Sequence, residues 1–126
     1  MNVTVFGGMP PPDRFTIYLI PVGADLFRAE IATQDRSFQG PPKPARRVTF
    51  DVGPEVSRKI ASLLSSPALW KEPPGLAASC TDQPAVALRA VWKGKKREAV
   101  RLALVCTPHD LTRTLIETAL SLADKR

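Results

Sequence analysis

Ala85–Cys106 reads AVALRAVWKGKKREAVRLALVC. Val86, Leu88, Ala90 and Trp92 alternate with Ala87, Arg89, Val91 and Lys93, the period of two of a half-buried strand. After a charged centre, Val100, Leu102 and Leu104 alternate with Arg101 and Ala103. Two such runs around Gly94 predict a β-hairpin. Matching apolar face to apolar face pairs Trp92 with Glu98, Ala90 with Val100 and Leu88 with Leu102. That register leaves Gly94-Lys95-Lys96 as a three-residue turn, sets Cys106 opposite Pro84 and points Arg101 outward.

The residues that follow the hairpin read as a helix. Thr107 is expected to cap it, with Pro108 at its first position and Asp110 favouring the helix N-terminus. Leu111, Leu115, Ala119 and Leu122 form the core stripe, widened by Ile116 and Leu120. Toward the N-terminus, Gly53-Pro54 opens another helix with the stripe Val56, Ile60, Leu63 and Leu64, ended by Ser65-Ser66-Pro67. Leu69 and Trp70 are expected to close over the core.

Three further alternating runs precede that helix. Phe15, Ile17 and Leu19 share one face of a strand over Phe15–Val22, with Thr16, Tyr18 and Ile20 on the other. Pro21-Val22-Gly23 marks a turn. Phe27, Ala29 and Ile31 then face one way and Arg28 and Glu30 the other. Pairing Leu19 with Phe27 and Ile17 with Ala29 makes the apolar faces coincide. Val48, Phe50 and Val52 mark a third strand. Residues 1–126 are therefore expected to form a single α+β domain. It would hold a mainly antiparallel sheet of about five to six strands, with two helices packed on one face. Residues 1–14 read as a loosely ordered N-terminal segment containing a short strand at Asn2–Phe6, and 35–46 as a Pro-rich loop.

Composition narrows the function. The apolar fraction of 44% and charged fraction of 24% suit a globular chain rather than a disordered one. No apolar run is long enough to cross a membrane. No signal pattern precedes the first strand, so the cytoplasm is expected, or the periplasm or exterior if a leader was removed. Cys80 and Cys106 flank the hairpin. A disulfide between them would close a loop of about 26 residues and stabilise by roughly 3–4 kcal/mol; two buried thiols are the alternative reading. The net charge is +6, and Arg89, Lys93, Lys95, Lys96, Arg97 and Arg101 against Glu98 put +5 of it in the hairpin. Such a concentration attracts carboxylates or phosphates, though a charged hairpin also serves solubility.

Tests for chemistry fail. His109 lies near Cys106 and Thr107, but no amide neighbour orients its ring. Two cysteines and one histidine cannot complete a four-ligand zinc site without carboxylates. Asp82 in CTDQP reads as a turn cap. Gly7-Gly8 is followed by prolines rather than by a phosphate-binding helix. No catalytic residue, metal or cofactor is expected.

From about Val48 onward the chain resembles a family of small bacterial domains of unknown function, often secreted or lipid-anchored. The resemblance rests on Thr81-Asp82-x-Pro84, the hairpin turning at Gly94 and the closing helix. Where that family carries a Cys-x-Gly-x-Cys-Pro segment, this chain has Pro11-Pro12-Asp13-Arg14. The resemblance implies no reaction. In role, small α+β proteins of this kind include bacterial toxin-immunity proteins. The reading that follows is a non-catalytic module binding an acidic protein surface. Arg89, Arg97 and Arg101 would grip carboxylates, Lys93, Lys95 and Lys96 would steer association, and Phe38 would either anchor the partner or fold back onto the sheet. The alternative is a nucleic-acid binder using the same hairpin on phosphates.

Overall fold

The computed structural model describes residues 1–6, 14–34, 46–76, 85–102 and 109–123. Its strands are β1 (Asn2–Phe6), β2 (Arg14–Gly23), β3 (Leu26–Gln34), β4 (Arg46–Asp51), β5 (Gly75–Leu76), β6 (Ala85–Trp92) and β7 (Lys95–Leu102). Its helices are α1 (Pro54–Ser65) and α2 (Leu111–Ala123). The sheet order is β4-β3-β2-β1-β6-β7-β5. Six strands pair antiparallel, and the two-residue β5 adds in parallel to β7. The fold is α+β, in the expected order of strands, helix, hairpin, helix.

Asn2–Phe6 is not part of a loose segment. β1 sits in the middle of the sheet between β2 and β6, with Val3 and Val5 buried. On its other face Thr4 and Thr16 share a hydroxyl–hydroxyl hydrogen bond of 3.0 Å. The helices lie on the face carrying Val3, Ile17, Leu19, Phe27, Ala29, Ile31, Val86 and Leu88, all buried with Ile60 and Leu64 of α1 and Leu115, Ile116 and Leu122 of α2. Ser57 fastens α1: its hydroxyl accepts from the Phe27 amide at 3.3 Å and donates to the Val52 carbonyl at 3.4 Å. Leu69 is fully buried and Trp70 half-buried, as their expected closing role requires.

Two registers differ from expectation, with unequal consequences. In β2–β3, Ile17 faces Ile31 and Leu19 faces Ala29. The strand runs through Pro21 to Gly23 with a register shift there, and the turn falls at Ala24-Asp25, where Asp25 has φ 56°. The slip is even, so every side chain keeps its expected face.

In β6–β7 the slip is odd. Trp92 faces Lys95, Ala90 faces Arg97 and Leu88 faces Ala99. The turn is two residues long, Lys93-Gly94, with φ of 48° and 83°. Positive φ at both positions is the hairpin geometry that matches strand twist. Shortening the turn from three residues to two turns β7 over. Val100 becomes 39% exposed, while Ala99 and Arg101 are buried on the helix face. Gly94 has room for a Cβ but not the conformation. Gly94→Ala is expected to destabilise the fold by about 1–2 kcal/mol, read as a lower urea midpoint at unchanged slope.

Candidate functional site

The turned-over β7 divides the expected basic patch into two groups. Arg101, expected in solvent, is fully buried. Its Nη2 donates to Asp110 Oδ2 at 2.8 Å and to the Pro73 carbonyl at 3.1 Å. Its Nη1 donates to the carbonyls of Pro74 and Val100, both at 3.3 Å. Arg97 is half-buried beside it, and its Nη2 reaches the Pro73 carbonyl at 3.1 Å and Thr112 Oγ1 at 3.3 Å. Burial lowers the Arg97 pKa, and the neighbouring Arg101 charge adds to that; Glu72 and Asp110 oppose it.

These arginines meet the N-terminus of α2, where unpaired amides favour negative charge. Asp110, rather than Thr107, is the cap: its Oδ1 accepts from the Arg113 amide at 2.8 Å, and the Thr114 amide donates to its carbonyl at 3.1 Å. Glu72 fills the remaining positions. Its Oε2 accepts from the Leu111 amide at 2.8 Å, and its Oε1 from the Thr112 amide at 2.7 Å and the Thr112 hydroxyl at 2.6 Å. Two guanidiniums and two carboxylates thus balance at one helix end, joining β7, the Pro73-Pro74 segment and α2. The cluster is occupied by its own members and is structural. Glu72 was absent from the sequence expectations, because its partners stand about forty positions away in the chain.

The second group remains outside. Lys93, Lys95 and Lys96 are exposed at the hairpin end and enter no ion pair among the described residues. Lys93 Nζ lies 5.6 Å from the centre of the Trp92 ring and Lys95 Nζ 6.0 Å from that of Trp70, cation–π distances. Both rings are held: Trp92 stacks on Phe27 with centroids 5.9 Å apart, and Trp70 Nε1 donates to the Leu64 carbonyl at 2.8 Å. Arg89 pairs with Glu98 at 2.9 Å, both largely exposed. A cleft of about 300 Å³ opens beside these residues, lined by Met1, Arg89, Val91, Lys96, Arg97 and Glu98 among others. Arg97 turns its guanidinium away to the Pro73 carbonyl and Thr112, so the cleft's side-chain charges are Arg89 and Lys96 against Glu98, a positive balance.

His109 is exposed just ahead of the cap rather than within the first turn of α2. Among the described residues no three His, Cys, Asp or Glu side chains group to hold a metal ion. No helix among them is long and apolar enough to cross a membrane. Phe38, Cys80, Asp82 and Cys106 lie outside the described residues. Compared with known protein families, curated proteins and solved structures, the chain matches none.

Removing one member of a buried ion pair leaves the other uncompensated, at a cost of about 3–5 kcal/mol. Asp110→Asn, which can still cap the helix, is expected to lose stability in that range by urea unfolding. The double variant Asp110→Asn/Arg101→Met, with neither charge, is expected to recover most of the loss. Equal losses in the single and double variants would show that the pair is not the source.

Proposed function

We propose that the chain is a non-catalytic protein-binding module that holds a carboxylate-bearing segment of a partner at the β6–β7 hairpin. The cleft carries this reading: Arg89 and Lys96 line it with Glu98 as the one acid of the lining. Lys93 and Lys95 extend the positive surface beyond it, seated on aromatic rings that limit their freedom. A cation already ordered loses less entropy on binding. The functional cations are Arg89, Lys93, Lys95 and Lys96, while the Arg97 guanidinium is held in the buried cluster. Arg101 belongs to the fold. The role is that of an inhibitor or immunity protein, an analogy of size and architecture.

The test is fluorescence anisotropy with a labelled glutamate-rich peptide and a labelled DNA duplex as probes, over a salt series. The peptide is expected to bind, and Lys93→Glu/Lys95→Glu/Lys96→Glu to weaken it by roughly tenfold or more at unchanged near-ultraviolet circular dichroism. Arg97 and Arg101 are left alone, because changing either would confound binding with folding. Tighter binding of the duplex, with a log–log salt slope of roughly −3 for three phosphate contacts, would replace the protein-binding reading with a phosphate grip.

A further inference from the structure

The two edges of the sheet are finished differently. β5 is two residues long, follows Pro73-Pro74 and pairs with β7 only at Val100 and Arg101. β4 is the other edge, six residues long, without proline, and in unbroken register with β3 from Arg28↔Asp51 to Thr33↔Arg46. Val48, on the helix face of β4, is 41% exposed, although Ile31 opposite it is fully buried.

Among the described residues no strand pairs with the other side of β4, and the direction of its backbone groups can be read from its hydrogen bonds. The Val52 amide donates to the Phe27 carbonyl at 3.0 Å. Antiparallel pairing alternates the direction of backbone groups, so Phe50 and Val48 also turn theirs toward β3. Arg47, Thr49 and Asp51 turn theirs outward. A second strand must present outward groups at the facing positions. A second copy of β4, antiparallel about a twofold axis at Thr49, does so: Thr49 meets Thr49, and Arg47 meets Asp51 twice.

The side chains agree with that register. On the outer face each Arg47 stands opposite Asp51 of the other copy. Within each chain Asp51 already pairs with Arg28 at 3.3 Å and Arg47 with Glu30, so charges alternate across the junction. On the helix face Val48 stands opposite Phe50, apolar against half-buried apolar. Backbone direction, charge and hydrophobicity select the same register, the self-complementarity that a twofold interface requires. We propose that the protein forms a homodimer through β4, joining two sheets by about six backbone hydrogen bonds. This surface lies at the opposite side of the sheet from the hairpin and does not rest on the binding function proposed above.

The test is sedimentation equilibrium of the full chain over a concentration series. Wild type is expected to approach twice its 13.7 kDa monomer mass. Arg47→Asp sets carboxylate against carboxylate at both facing positions, and Asp51→Arg sets guanidinium against guanidinium. Each alone is expected to raise the dissociation constant by roughly tenfold or more. Mixed together the two variants are expected to form a heterodimer, because each then presents the charge that the other lacks. Thr49→Pro removes an outward amide without taking a donor from the β3 ladder, and is expected to yield folded monomer, with folding checked by circular dichroism. A wild type that stays monomeric throughout overturns the proposal. So does a dimer that survives in all three variants.

Discussion

A buried arginine holds the C-terminal half of this fold together. Arg101 sits under the N-terminus of α2, where Asp110 caps the helix with one carboxylate oxygen and pairs with the guanidinium through the other. Glu72 reaches the first two amides of the same helix from the far side of the Pro73-Pro74 segment. Four charged side chains therefore fix the mutual position of a strand, an extended connection and a helix. A buried pair of this kind adds little stability over a well-packed apolar substitute, because both charges must first leave water. Its consequence here is geometric: it requires Arg101 on the helix face, and every other residue of β7 follows.

That placement determines what the hairpin offers a partner. Had Arg101 and Arg97 pointed outward, they would have joined Arg89 on the outer face of the sheet. Instead they are drawn beneath α2, and Lys93, Lys95 and Lys96 stay exposed at the hairpin end, Lys93 over Trp92 and Lys95 over Trp70. The β4 edge is of another character, with charges that alternate and balance. The sheet thus carries a charge excess at one side and balanced charge at the other.

Much of the fold was legible in the chain. The alternation in β2, β3 and β6 marked the buried faces correctly, and the stripes through Ile60 and Leu64 and through Leu115, Ile116 and Leu122 marked the helices. The β2–β3 register was two residues off without consequence, because an even slip preserves the faces. Of the site, the exposed Lys93, Lys95 and Lys96 were visible in the bare chain. Arg101 was not legible as a core residue, since Arg-Glu-Ala-Val-Arg-Leu reads more economically with valine and leucine inside. Nothing local indicated that Glu72 would cap a helix beginning at Leu111.

The elements, their order, the apolar faces of β2, β3 and β6 and the concentration of positive charge in one hairpin all follow from the order of residues along the chain. Those properties depend on periods of two and of three to four residues, which a short window contains. Which face β7 buries was settled in three dimensions. Lys93-Gly94 forms a two-residue turn with both residues at positive φ, an odd change from the longer turn that apolar matching implied. With a side-chain period of two, that one residue inverts the strand. The inversion is stable because Asp110 and the carbonyls of Pro73 and Pro74 compensate a buried guanidinium, and these groups are neighbours in space rather than in sequence.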